Sequence, residues 1–374
     1  MIKFIHTADW HLDSPFAALG AEEAAKRRRE LRELPNRFAD YVKEQGIDLV
    51  LLAGDLFDGK NVYRETMEGL TAALGRMEAK VLIAPGNHDC WGPMWDKWEW
   101  PDNVYIFHKN AMTTLEMGDV VFHGAAFTAP EQGSSLLSGF QAAEDGKVHI
   151  GLLHGEVAAQ SRYNPIPTEE AAASGLAYLA LGHIHAAGQV RWGKTLIAWP
   201  GCPEGRGFDE TGEKGFYQGV IADDGAVSIE FVPFAKRRYQ SLTVDVTGKD
   251  PRAAVEEALP PDTEQDLYRI LLTGEAERVE TGALEGALKE RFYALEVRDH
   301  TRLPRDLWAR AGEDSLAGLF LQKLKQRYDA AQTEEERETV REAARFGLAT
   351  LEHRDLPERG SRRKSRTKNH GGEN

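Results

Sequence analysis

The feature that most constrains the fold is a series of short, largely apolar runs, each stopping at a polar group rich in Asp, Asn, His and Gly. The first run leads into Ala8-Asp9-Trp10-His11-Leu12. Run 47–53 stops at Gly54-Asp55, and run 81–84 at Pro85-Gly86-Asn87-His88-Asp89. Run 148–153 stops at His154-Gly155, and run 177–181 at Gly182-His183-Ile184-His185. Such runs read as strands of a parallel-type sheet buried on both faces. In layered α/β folds the loops at the carboxyl ends of strands gather over one crevice. Side chains at i and i+2 of an extended segment project to the same side, so Asp9 and His11 are expected to reach one point by strand alternation.

Helical patterns separate these runs. Residues 21–34 read as an exposed helix, and Lys26-Arg27-Arg28-Arg29 as its solvated face in preference to a phosphate contact. Pro35 is expected to start a second helix, carried by Leu34, Phe38, Tyr41 and Val42 and ended by Gly46. Another helix spans 64–78. Further strands fall at 104–108, 120–122 and 195–199, with a hairpin of 216–222 and 226–231 around Asp223-Asp224-Gly225. The order predicts a four-layer α/β/β/α sandwich over residues 1–235.

Beyond 235 the pattern restarts. Residues 236–303 read as a small α/β domain with strands at 241–246, 268–273 and 292–298. Residues 304–356 read as helical, with Leu316, Leu319, Phe320, Leu324 and Tyr328 on one stripe and a capping box at Thr333-Glu334-Glu335-Glu336. The basic tail 357–374 is expected to be disordered.

The chain has 374 residues, enough for two or three domains. No apolar stretch reaches the length of a membrane span, and the start lacks the pattern of a signal peptide. With only Cys90 and Cys202, a cytoplasmic chain with free thiols is expected. The net charge of -14 argues against a uniformly basic nucleic-acid binder, although local basic patches can still hold a phosphate backbone.

A mixed set of Asp, Asn and His donors suits Mn, Fe or Zn better than Mg or Ca, which prefer oxygen-only shells. One carboxylate shared by two ions about 3.5–4 Å apart makes a two-metal site. The chemistry that follows is metal-assisted phosphoester hydrolysis. His123-Gly124 competes with His154-Gly155 as a donor. His154 is preferred, because the longer apolar run leads into it.

The five groups resemble the motifs of the calcineurin-like metallophosphoesterases. More narrowly, they resemble the SbcD-type DNA repair exonucleases and, within these, a YhaO-like branch. The resemblance rests on Ala8-Asp9-Trp10-His11-Leu12, Gly54-Asp55-Leu56-Phe57-Asp58, Gly86-Asn87-His88-Asp89 and Leu181-Gly182-His183-Ile184-His185. Pro200-Gly201 followed by Glu204-Gly205-Arg206-Gly207-Phe208-Asp209-Glu210 points to the nuclease branch, with Cys202 where serine is more usual. It implies two divalent ions, manganese first, with iron or zinc as alternatives. Asp9, His11 and His185 would hold the first ion and Asn87, His154 and His183 the second, with Asp55 between them. His88 would act on the scissile phosphate, and Asp89 would orient His88 from behind.

The resemblance further implies DNA as substrate, a capping role for 236–303, and a partner ATPase of the SbcC type or a related coiled-coil ATPase. It also implies a homodimer; the absence of a long apolar stretch leads to the expectation of no membrane association. Arg206, Lys214, Lys236, Arg237 and Arg238 are candidate phosphate contacts, with structural pairing as the alternative. For Trp91, Trp95, Trp98 and Trp100, packing is preferred over base stacking. His6, His108, His149, His300, His353 and His370 are read as structural, and Cys90 as a packed thiol. Two other functions stay open: a phosphatase or phosphodiesterase for small phosphoesters, and a non-catalytic subunit that binds DNA ends.

Overall fold

A computed structural model describes residues 1–59, 61–276, 279–302 and 308–351. The backbone divides into two compact units. The first is 1–240 with 264–267, and the second is 241–263 with the chain from 268 onward.

The first unit runs β1 (Ile2–Thr7), α1 (Ala21–Gln45), β2 (Leu49–Leu52), α2 (Arg64–Arg76), β3 (Lys80–Ile83), α3 (Pro93–Asp96), β4 (Val104–Ile106), β5 (Thr113–Met117), β6 (Val120–Gly124) and β7 (Val148–His154). It continues with α4 (Thr168–Ala173), β8 (Tyr178–Gly182), β9 (Gly188–Trp192), β10 (Thr195–Trp199), β11 (Gly215–Ile221) and β12 (Val227–Pro233). These strands form two six-stranded sheets, ordered β12-β11-β1-β2-β3-β4 and β5-β6-β7-β8-β10-β9. The middle strands of each are parallel, and β11, β12, β5 and β9 are antiparallel additions.

Strand alternation explains the sandwich. Val50, Leu52, Val81 and Ile83 enter one core with Leu31, Leu34 and Phe38 of α1 and Leu70 and Leu74 of α2. Their neighbours Leu49, Leu51 and Leu82 point the other way, into a core shared with Phe122, Ile150, Leu152 and Tyr178 of the second sheet. Leu153, Leu179 and Ile197 face outward again, against Ala171 of α4. Each central strand therefore feeds two cores, and its sequence is apolar at every position rather than at alternate ones.

Two expectations change. Pro35 does not begin a helix; α1 runs through it unbroken for 25 residues. Proline removes one helical donor and crowds the preceding turn. Here Pro35 is buried between Leu34 and Phe38, and that packing outweighs the local penalty. The basic run on α1 is not uniformly solvated either: Arg27 is 1% exposed and ion-paired with Glu30 and Glu204. In addition, β5 and β9 lie at sheet edges and went unread in the sequence. Their half-buried, alternating pattern lacks an apolar run.

Apart from the first residues of two strands, the second unit contains a three-stranded sheet of β13 (Tyr239–Asp245), β14 (Leu267–Thr273) and β15 (Ala294–Asp299), with α5 (Pro251–Ala258) and α6 (Thr281–Leu288). Val244, Val255, Ile270, Leu272, Leu288 and Phe292 form its core. Asp250 caps α5 by accepting the N–H of Ala253 at 2.9 Å, with Pro251 in the first turn. The helices α7 (Leu316–Ala330) and α8 (Glu334–Leu351) pack through Leu321, Ala344 and Leu348. The tail 357–374, with His370, and also His353, lie outside the described residues.

Candidate metal centre

Backbone hydrogen bonds continue between the two segments past the ends of β1 and β2. Asp9 donates its N–H to Gly54 O (3.0 Å), His11 to Asp55 O (3.0 Å) and Leu12 to Leu56 O (2.8 Å). The backbone there is not extended. Asp9, His11 and Asp55 have φ of 54°, 43° and 52°, and His183 has 88°. Asp9 and His11 thus reach a common point through left-handed turns, not through strand alternation as expected from the sequence. Non-glycine residues at positive φ carry backbone strain, and such strain clusters at functional sites. Close approach accounts for two glycines. A Cβ on Gly182 would lie 2.0 Å from Ala53 O, and one on Gly54 would lie 2.6 Å from His154 Nδ1.

All seven expected donors come together in two groups. In the first, His11 Nε2 lies 3.2 Å from His185 Nε2 and 3.9 Å from Asp55 Oδ2, and His185 Nε2 lies 3.8 Å from Asp9 Oδ1. In the second, His154 Nε2 lies 2.9 Å from Asn87 Oδ1 and 3.4 Å from Asp55 Oδ2, and His183 Nδ1 lies 3.2 Å from Asn87 Oδ1. Asp55 borders both. His123 stands apart, bonded to His149 (2.9 Å) and Thr114 (3.1 Å), so His154 and not His123 joins the group. His6 is likewise structural, buried against Tyr178 Oη (2.7 Å) and Leu181 O (3.0 Å).

The donor chemistry fits divalent cations. The Nδ1–H of His154 donates to Ala53 O at 2.8 Å, and that of His185 to Glu210 Oε1 at 2.7 Å. Each tautomer leaves a bare lone pair on Nε2. At His154 that lone pair faces the amide oxygen of Asn87 at 2.9 Å with no proton between them, an arrangement that a cation relieves. Burial lowers His154 to about 3, lowers His183 to about 4 and holds His11 well below its ordinary value, so these imidazoles are neutral at pH 7. Burial and the nearby Asp55 carboxylate raise Asp9 well above the carboxylate range, and burial lifts Asp55 to about 6.

His88 stands beside both groups with 44% of its side chain exposed, and its backbone N–H donates to Asp55 Oδ1 at 2.9 Å. Asp89 does not orient it. The Asp89 carboxylate is fully buried and accepts backbone N–H groups of Gly86 (2.8 Å), Leu56 (2.7 Å), Asp55 (3.3 Å) and Phe57 (3.4 Å). A carboxylate aimed at four amides has no oxygen left for an imidazole. The acid that faces His88 is Asp58, 4.0 Å from its Nδ1, 3.2 Å from His11 Nδ1 and 3.1 Å from Arg206 Nη1. Asp58, Glu210 and Glu156, the last 3.9 Å from His183 Nε2, went unassigned in the sequence. Asp58 and Glu210 lie inside recognised motifs, but nothing there separates them from other acids.

The cations expected to contact phosphate are held internally. Arg206 pairs with Glu210 (2.7 Å) and Asp58, and Lys214 donates to His185 O (2.9 Å). Arg237 pairs with Glu30 (2.7 Å), Arg238 with Asp266 (2.6 Å), and Lys236 lies 3.4 Å from Glu30. The alternative reading, structural pairing, describes these contacts. The tryptophans pack as well. Trp95 is buried, stacks on Trp100 and donates to Asp89 O, and Trp98 donates to Thr71 at 2.7 Å. Cys90 and Cys202 are both buried. No described helix is long and apolar enough to cross a membrane.

The family model for calcineurin-like phosphoesterases matches residues 2–187, which run from β1 to just beyond His185. The chain is 30% identical over 320 residues to YhaO of Bacillus subtilis (strain 168), described as an uncharacterized metallophosphoesterase, covering 80% of this chain and 78% of that protein. Among solved structures, GAP50, the anchor in the inner membrane complex of Plasmodium, is 12% identical, covers 62% of this chain and 84% of its own, and has a TM-score of 0.38. A novel archaeal phosphodiesterase is 15% identical, with 62% and 100% covered and a TM-score of 0.33. With that family match across all seven donors, and a relative aligned over 80% of this chain, the chain belongs to the calcineurin-like metallophosphoesterases.

Proposed function

We propose that this chain is a metal-dependent DNA nuclease that hydrolyses phosphodiester bonds. The observation that carries the hydrolytic part is the pair of donor groups meeting at Asp55, with the exposed imidazole of His88 beside them. Asp9, His11 and His185 would hold one divalent ion and Asn87, His154 and His183 the other, with Asp55 shared. When bound, the two ions supply Lewis acidity at the phosphate and a nucleophile at neutral pH. His88 donates a proton or hydrogen bond to the leaving oxygen, and Asp58 faces its Nδ1. Asp89 holds the loops that present Asp55 and Asn87. The glycine-flanked loop carrying Arg206, similar to that of the nuclease branch, supports DNA as the substrate, and the mixed Asp, Asn and His donor set suits manganese.

The same proposal includes a coiled-coil ATPase partner and a homodimer. Exposed Leu316 (71%) and Leu319 (57%) on α7 support a docking role for the helix pair. A second reading, a phosphodiesterase for small phosphoesters, is favoured by one observation: Arg206, Lys214, Arg237 and Arg238 are engaged within the chain.

One assay separates the two. Purified protein with Mn is given linear DNA, nucleotides and a small aryl phosphodiester side by side. Degradation of DNA, lost in His88→Asn with metal content retained, supports the nuclease. Hydrolysis of the small esters alone selects the second reading.

A further inference from the structure

We infer that Arg206 is a positioning residue for the first metal group, acting through two carboxylates on two histidines. The inference rests on the reading of that group as a metal site. Arg206 Nη1 lies 3.1 Å from Asp58 Oδ1, and Nη2 lies 2.7 Å from Glu210 Oε1. The backbone N–H of Arg206 adds a bond to Glu210 Oε2 at 2.8 Å. One guanidinium therefore bridges an acid from the loop after β2 and an acid from the loop after β10.

Each of these acids faces the far nitrogen of a donor imidazole. Glu210 Oε1 is 2.7 Å from His185 Nδ1, and Asp58 Oδ1 is 3.2 Å from His11 Nδ1. The near nitrogens of the same two rings face each other at 3.2 Å. Arg206 Nη2 also lies 3.2 Å from His185 Nδ1, but a carboxylate accepts only, so the shorter Glu210 contact places the proton on Nδ1. His11 Nδ1 is buried and makes no hydrogen bond as placed, and Asp58 is the acid beside it. A carboxylate behind an imidazole fixes ring orientation and raises the basicity of the opposite nitrogen. The planar fork of arginine suits this double grip, and the point charge of lysine does not.

The clamp is itself anchored. Arg27 of α1, fully buried, donates to Gly205 O at 3.1 Å and pairs with Glu204. Lys214 holds His185 O from the far side of the same loop at 2.9 Å. The Arg206 loop is fixed at both ends before any ligand arrives, unlike a phosphate contact waiting for a backbone.

The test uses the full chain without metal and two readouts. In ¹⁵N-histidine spectra, wild type should show His185 as the Nδ1–H tautomer, and Arg206→Lys and Glu210→Gln should lose that signature. In Mn titrations the same variants should bind one ion about 10–100-fold more weakly and the other as wild type does. Adding Arg206→Lys to Glu210→Gln should bring little further loss. If Arg206→Lys retains both the tautomer and wild-type affinity for both ions, the inference is overturned, and weakened DNA binding in that variant would make Arg206 a phosphate contact. The tautomer is read without substrate or metal, so an intact clamp in a wild type that cleaves no DNA sinks only the nuclease proposal.

Discussion

The carboxylate of Asp89 accepts the backbone N–H of Leu56 at 2.7 Å, tying the loop after β3 to the loop after β2. Its other oxygen takes the N–H of Gly86 at 2.8 Å. Asp89→Ala leaves these buried donors without an acceptor, at about 1–3 kcal/mol each. Urea denaturation should show a loss of about 3 kcal/mol or more. Asp89→Asn, which keeps one acceptor oxygen, should lose less. Equal stability of Asp89→Ala and wild type would refute this role.

Arg27 is a buried cation and one of two arginines on Glu204; Arg37 holds Oε1 at 2.6 Å. Arg27→Met should cost about 3 kcal/mol, the low end of the range for breaking a buried pair, because Arg37 still compensates part of the charge. Adding Glu204→Gln should recover part of that cost, because the under-compensated buried charge is gone. The check is a double-mutant cycle in denaturant midpoints; strict additivity would argue against the pairing.

Glu30 gives a pH dependence. Burial alone would raise its carboxyl, but hydrogen bonds from Arg237 and Arg27 outweigh that and hold it at about 2. A carboxylate with a depressed folded value adds stability above its ordinary range near 4.5 and loses it as pH falls toward 2. Glu30→Gln should therefore be less stable than wild type at pH 6, with the gap closing between pH 4.5 and pH 2. Parallel pH profiles of the two urea midpoints would expose an error.

Divalent metal should stabilise the fold. Crowded, buried Asp9 and Asp55 repel one another, and a cation binding only the native chain adds about 2.7 kcal/mol at a hundredfold excess over its Kd. Thermal unfolding should move up on adding Mn and return with chelator. Asp55→Asn should shrink the shift, since Asp55 borders both groups. An unchanged midpoint across a Mn series would count against the site.

Much of the site was legible because burial on both faces leaves a clear mark. Leu49–Leu52 and Tyr178–Gly182 have no room for polar residues, so the first polar residue marks the strand end where loops converge. Less legible was everything decided by distant partners. Pro35 sits within a helix because Leu34 and Phe38 pack beside it, and Arg27 is buried because Glu204, far along the chain, meets it. Asp89 was assigned to its neighbour His88, yet a buried carboxylate goes to the densest set of donors, here the amides of 55–57 and 86. Asp58 and Glu210 needed the geometry to distinguish them from other acids. The left-handed turns at Asp9 and His11 were hidden as well: Asp and His adopt positive φ more readily than most residues, yet only a small share of them do, so the residue type alone does not mark the turn.

The backbone hydrogen bonds that run on past β1 and β2, from Asp9, His11 and Leu12 to the loop after β2, have a consequence for motion. A bonded amide hydrogen exchanges only when its bond opens, so His11 and Leu12 should exchange with deuterium as slowly as residues inside the strands. Loops at a catalytic crevice ordinarily belong to the least protected parts of a protein. Here Asp9 and His11 sit on backbone tied by hydrogen bonds to the loop after β2, so local opening at these two donors should be as rare as opening of the strands themselves.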